Sequence, residues 1–261
     1  MYSIDPMVVA YGPHREKSRF TYMHHAGEKV DIPYVSWLLQ GNGKNILIDV
    51  GCSATDYAEH IRPNDRPFQH AGETFDDVKD VRPLDDQLRD RGLTRGDIDL
   101  VVLTHLDWDH CMSAPDFDDH RMLVQRAEWE GIPAHPFFKG SYAPQFIYDR
   151  IGDLGVEVLD GDHVVDDDLQ LILTPGHTPG GQSVVVNTPR GRYVIAGMCV
   201  LLENFYPDPA DIEGKDYSII PPGGHTDLFT AYDEMLRLKE IGGDNVLPLH
   251  MSEVMTMDKI G

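Results

Sequence analysis

Short apolar runs bounded by Gly, Pro and Asp alternate along the chain with stretches whose apolar residues recur at helical spacing. YVSWLLQ (34–40) and NILIDVG (45–51) read as neighbouring strands joined through Gly41, Asn42 and Gly43, a strong hairpin signal. PLDDQLRDRGL (83–93) opens with proline, keeps its leucines on one helix face and stops at Gly92. IDLVVLT (98–104) is a continuous, largely β-branched run between polar residues, which predicts a strand buried on both faces.

RMLVQ (121–125) and a short helix around Ala127 to Gly131 come next, followed by a Pro- and aromatic-rich connection (132–148) that suits a lid. GVEVLD, LQLILT, QSVVVNT and RYVIAG then predict four strands separated by Gly, Asp and Pro turns. After an irregular stretch from Glu203 to Gly224, TDLFTAYDEMLRLKEIGG (226–243) predicts an amphipathic helix. Thr226 is its expected cap, and Leu228, Tyr232, Met235, Leu236 and Leu238 its apolar face. NVLPLH closes as a strand ending on His250. This order predicts an αββα sandwich, two mixed β-sheets flanked by helices, in a single domain over residues 1–261.

The chemistry gathers where the most apolar strand ends. In HLDWDH, the side chains of His105, Asp107 and Asp109 share one face of an extended backbone, and a turn is needed to bring His110 round to them. Four potential ligands on one short loop at a strand's carboxyl end make a strong metal signal. A second piece, TPGHTPGG, sets His177 between two Pro-Gly turns directly after a strand, where a tight backbone can hold a side chain at a fixed angle.

Composition narrows the partners. A chain of 261 residues buries roughly 70–75% of its unfolded surface in one large core. No apolar run approaches the ~20 residues that a membrane span needs. The start, MYSIDPMVVAYGPHREKSRF, lacks the basic-then-apolar order of a signal peptide, so a cytoplasmic protein is expected. A net charge of −22 argues against nucleic acid and anionic membranes as partners, although a locally positive metal site can sit inside an acidic protein. Three widely spaced cysteines, Cys52, Cys111 and Cys199, argue against a disulfide framework and for reduced thiols.

Taken together and in this order, ILIDVG, HLDWDH, PGHTPG and a late strand ending in histidine resemble the metallo-β-lactamase superfamily, over Asp49 to His250. Among its branches the chain looks most like the N-acyl-homoserine-lactonase-like hydrolases. The resemblance implies the αββα fold with a metal centre at the edge of the two sheets. By it, His105, Asp107 and His177 hold one divalent ion, and Asp109, His110 and His250 a second, while Asp49 supports the ligand loop by hydrogen bonds.

Two departures from the family pattern stand out. Asp107 occupies a position where most members carry histidine. A carboxylate is a harder ligand and should shift the site from zinc towards manganese or iron; His-x-Glu-x-Asp-His occurs in the di-iron flavodiiron branch. The family's bridging aspartate falls on Met198 in VIAGMCV, and a thioether cannot bridge hard ions. Three outcomes stay open: Asp107 compensates for the lost charge, one of the two ion sites is weak or empty, or Cys199 ligates as a thiolate rather than packing in the core.

The expected activity is opening of a lactone, ester or thioester of a small-molecule substrate by metal-bound hydroxide, with Asp109 passing a proton to the leaving oxygen. An iron-dependent oxidoreductase and a degenerate, non-catalytic metal-binding homologue are the alternatives. His225 is expected to contact substrate or to lie on a surface loop. Tyr206 and Tyr217 are either pocket aromatics or ordinary loop residues, and His24 and His25 are expected to be exposed. One or two ions (Zn, Mn or Fe) are expected, with a homodimer as a candidate assembly.

Overall fold

The computed structural model describes residues 1–61, 78–135, 149 and 155–261. Among them, β1 (Tyr2–Glu16), β2 (Lys29–Gly41), β3 (Lys44–Ile48), β4 (Lys79–Asp80), β5 (Leu100–Val102), β6 (Met122–Gln125) and β7 (Val156–Leu159) form one sheet in the order β4-β1-β2-β3-β5-β6-β7. β8 (His163–Asp166), β9 (Leu169–Leu173), β10 (Gln182–Thr188), β11 (Gly191–Ala196) and β12 (Val246–Pro248) form the second, in the order β12-β11-β10-β9-β8. Both are mixed: β3, β5, β6 and β7 run parallel in the first, and β11 and β12 in the second, while the other pairs are antiparallel.

The period of two along the strands sorts side chains into layers. Val35, Trp37 and Leu39 of β2, Ile46 and Ile48 of β3, and Leu100 and Val102 of β5 meet Leu171, Val184, Val186 and Ile195 between the sheets. The alternate residues Leu38, Leu47 and Val101 pack outwards against Leu88 of helix α1 (Leu84–Asp90) and Cys111 of helix α2 (Trp108–Cys111). On the far side Val185, Val194 and Ala196 pack under Met235 and Leu238 of the long helix Leu228–Gly242. The expected αββα sandwich is therefore the observed one, and IDLVVLT supplies its doubly covered central strand. Each fully buried aliphatic or aromatic side chain in these layers contributes about 1.5–3 kcal/mol.

The predicted hairpin closes at Asn42 (φ 50°) and Gly43 (φ 72°), with Gly41 paired to Lys44. This two-residue, left-handed turn matches strand twist. Other expectations change. The first sixteen residues build the 15-residue strand β1, and HVVD builds β8; neither was expected, because Pro6, Gly12 and Pro13 interrupt the first and the second is only four residues long. The cap of the long helix is Asp227, which accepts the Thr230 N–H, whereas Thr226 donates its hydroxyl to Gly176 O and fastens the helix to the His177 loop. Leu236 is 37% exposed, and the inner face is Ala231, Met235, Leu238 and Gly242. His24 and His25 are partly covered rather than exposed: His24 donates to Tyr22 O, and His25 lies between Glu28 and Asp211. Residues 136–148 of the expected lid lie outside the described residues. Among the described residues no helix is long and apolar enough to cross a membrane.

Candidate metal centre

The loop that leaves β5 after Val102 delivers His105 and, in extended conformation, Asp107, and α2 then turns the chain sharply. That turn divides the cluster. His105 and Asp107 meet His177, while Asp109, carried off the extended face by α2, joins His110 and His250; in each group the ligating atoms lie within 4.8 Å of one another. These are the two sets that the family resemblance implies. In the first, His177 Nε2 is 3.2 Å from both His105 Nε2 and Asp107 Oδ2. In the second, Asp109 Oδ2 is 3.4 Å from His110 Nε2 and 3.6 Å from His250 Nε2.

The other ring nitrogens fix every tautomer. His177 Nδ1 must donate to the Gly224 carbonyl at 2.8 Å, and His250 Nδ1 to the Pro33 carbonyl at 3.0 Å. His110 Nδ1 donates to Asp49 Oδ2 at 2.9 Å. Thr104 Oγ1 gives its single proton to Asp49 Oδ2, so at 3.0 Å it can only accept from His105 Nδ1. All four imidazoles thus present Nε2 inwards, as second-layer partners of metal-bound histidines make them do. Asp107 Oδ1 and His110 Nε2 are buried without a hydrogen-bond partner, open coordination valences in a donor set of four imidazoles and two carboxylates. The residues fit a pair of divalent ions on these grounds.

Charge within each group follows the same logic. Burial pushes His105 and His250 down to about 4. For His110, burial is outweighed by Asp109 and Asp49, which raise it to about 9. His177 is likewise raised, Asp107 overcoming burial. Asp107 itself is held well below the usual carboxylate range because His105 and His177 outweigh its burial. In each group one imidazole is thus biased towards its charged form, His177 in the first and His110 in the second.

Asp49 is fully buried, sits at φ 57° and also accepts the Thr104 N–H at 2.7 Å. Its carboxylate aligns the ligand loop as expected, and the left-handed backbone is strain held at the site. Glu128, in the helix Arg126–Trp129, carries a comparable role that sequence reasoning missed. Fully buried, it accepts Leu106 N–H at 2.9 Å and Gly180 N–H at 3.0 Å, clasping the HLDWDH loop to the PGHTPG loop. Gly180 is required there, since a Cβ would lie 2.1 Å from Glu128 N. A glutamate in an ordinary-looking helix gives no sequence signal; only the tertiary approach does.

A cavity of about 120 Å³ opens beside both groups, lined by Asp107, Asp109, Cys199 and His250 together with Arg15 and Tyr34. Met198 is fully buried in the layer under the long helix. It is Cys199 that faces the cavity, half-buried, its thiol pushed well up by burial and by Asp109 and Asp107. His225 is not among the residues lining this cavity; its Nδ1 donates to Pro222 O and its ring packs edge-on to Tyr22. Tyr206 bonds Gly243 O and Tyr217 bonds His24, so both tyrosines serve the fold.

Known proteins resemble this chain in sequence and in fold. An N-acyl homoserine lactonase of a Bacillus species is 27% identical over 173 residues, covering 65% of this chain and 64% of that protein, so the alignment spans just under two thirds of the relative's length. AiiA of Bacillus thuringiensis, in a variant with N-decanoyl-L-homoserine bound at the active site, superposes with a TM-score of 0.73 at 20% identity, covering 97% of this chain and 95% of that one. An N-acyl homoserine lactone hydrolase with N-hexanoyl-L-homoserine bound at its catalytic metal centre superposes at 0.71 and 22%, covering 97% and 95%. Residues 31–246 match the metallo-beta-lactamase superfamily, and the chain belongs to that family.

Proposed function

We propose that the protein is a metal-dependent hydrolase that opens a lactone or a related ester or thioester of small-molecule size, with His105, Asp107 and His177 holding one divalent ion and Asp109, His110 and His250 a second. The observation that carries this reading is the inward convergence of four Nε2 atoms, each fixed by an outward Nδ1 hydrogen bond, onto two carboxylates. Divalent ions supply, when bound, an activated water at neutral pH and polarisation of a carbonyl.

The chain's own residues do the rest. Tyr34 and Trp108 wall the cavity and limit the water that reaches it. Asp109, on the cavity surface, is placed to take a proton from the attacking water and pass it to the leaving oxygen. Asp49 and Glu128 keep the ligand loops in register from behind. Asp107 adds negative charge to the first ion site, which favours manganese or iron over zinc and makes an activated water less acidic. The relatives named lactonases support the ester class. Three free thiols, Cys52, Cys111 and Cys199, support a reducing, cytoplasmic setting.

Elemental analysis of protein purified without added metal, paired with turnover of a lactone and thioester panel, tests the proposal. Bound metal with lactone opening is expected, and Asp109→Asn should lower kcat by on the order of 100-fold. Iron with no hydrolysis would replace this reading with the oxidoreductase, and no metal under any loading condition with the degenerate homologue.

A further inference from the structure

The cavity beside the candidate centre carries two guanidinium groups, and the fold makes specific provision for one of them. Arg15 is only 5% exposed. The pairing of β1 with β2 steps from Gly12–Ile32 to Arg15–Val30, so three residues of β1 pass two of β2, with His14 at φ 51° in the bulge. A bulge re-aims the side chains beyond it and recurs next to active sites. Here it returns Arg15 to the face of β1 that carries Gly12. Gly12 leaves the space that the guanidinium fills, since a Cβ there would lie 2.5 Å from Arg15 Nε and from Tyr34 Oη. The hydroxyls of Tyr34 and Tyr57 hydrogen-bond the guanidinium, and the Tyr57 ring lies 5.9 Å beneath it. Arg19, exposed on the 3-10 turn that follows β1, reaches the same cavity, and its charge acts on Cys199.

Burying a guanidinium is costly, and a bulge, a glycine and two tyrosines are arranged around this one. Within the cavity the carboxylates of Asp107 and Asp109 are taken up by their imidazole partners. A neutral acyl chain would gain little from such a wall. A carboxylate matches the planar guanidinium fork, and Arg15, only 5% exposed on the wall of a cavity of about 120 Å³, meets it largely shielded from solvent.

We propose that Arg15 and Arg19 form an anion-binding wall of this site, so that the substrate is a lactone or related ester bearing a carboxylate. This deepens, and rests on, the hydrolase reading above. Chain-wide charge of −22 disfavours the approach of anions, which makes two cations in a cavity beside the ligands more telling.

A matched pair of probes tests the assignment: 5-oxotetrahydrofuran-2-carboxylate and its carboxamide, given to metal-loaded protein, with binding of the ring-opened hydroxydiacid and its monoamide measured by calorimetry. Preference for each carboxylate over its amide by about tenfold or more is expected, expressed mainly in KM and Kd. Arg19→Gln, at an exposed position, should shrink that ratio, and Arg15→Met should bring it near unity. Equal turnover and equal binding of carboxylate and amide would overturn the anionic class. An undiminished ratio in both variants would overturn the assignment to these two arginines. If no member of the lactone and thioester panel is opened either, yet the diacid still binds in preference to its amide, the anion wall stands and the hydrolase reading falls.

Discussion

His105 and His177 turn their Nε2 atoms towards each other at 3.2 Å while each commits its Nδ1 proton to the protein behind it. Only a cation, a proton or a metal ion, relieves that convergence. Metal loading at neutral pH should therefore expel a proton from the His110 group, and affinity there should climb with pH by on the order of tenfold per unit for each proton displaced. For His110 the sign is clear: raised to about 9 from 6.5, its proton contributes stability that is complete below 6.5 and lost as pH rises through 9. Calorimetric metal titrations at pH 7 in two buffers of different ionisation enthalpy read the released protons directly. Equal heats in both buffers would show that the ion enters elsewhere.

Asp107 sits in the first ligand group with one oxygen facing His177 and the other unpartnered. Replacing it by histidine removes a hard anionic donor and leaves an all-imidazole set, so Asp107→His should move competitive loading towards zinc and away from manganese. Equimolar zinc and manganese followed by elemental analysis measures the shift. A profile identical to wild type would place Asp107 outside the coordination sphere.

The difference between what was legible in the sequence and what was not follows from range. The central strand, the hairpin at Asn42–Gly43 and the spacing of His105 to His110 are local patterns, and the chain folds as they read. Strand alternation alone put Asp109 with His105 and Asp107; the family resemblance implied its grouping with His110 and His250, and the four-residue helix that begins at Trp108 is what carries it there. Glu128 and Arg15 were hidden by distance. One acts through Leu106 and Gly180, and the other through a bulge in a strand whose prolines disguise it. Met198 shows how a motif position can mislead, since the backbone turns that side chain into the core and leaves its neighbour facing the cavity.

Glu128→Gln tests the clasp between the two ligand loops. An amide offers one acceptor for two N–H groups, so either Leu106 or Gly180 loses its partner, at a cost of about 1–3 kcal/mol. Loosened loops should also weaken metal binding by roughly 10-fold or more, measured by competition with a chelator. The pH profile separates this from a generic defect. Burial raises Glu128 from 4.5 to about 7, so the folded state holds a proton that the unfolded chain has released, and stability falls as pH rises through that window. Between pH 4.5 and 7 the difference in stability between metal-free variant and wild type should shift by about 3 kcal/mol in the variant's favour. Parallel urea profiles for the two proteins would rule the clasp out as a titrating group.

The family's bridging aspartate falls on Met198, yet it is Cys199 that faces the cavity, and this placement decides what substitution at each position should do. Met198→Asp would force a carboxylate into the layer formed by Val185, Val194 and Met235, at a cost of several kcal/mol, roughly the range of a buried unpaired charge. It should lower the melting temperature without raising metal content. Cys199→Asp puts the same group on the cavity wall that Asp107, Asp109 and His250 also line, beside a member of each ligand group. That variant should keep the fold and bind its second ion more tightly than wild type. Elemental analysis across a metal titration, with circular dichroism melts of both variants, distinguishes the two positions. Tighter second-ion binding in Met198→Asp rather than in Cys199→Asp would mean that the chain can turn position 198 to the cavity after all.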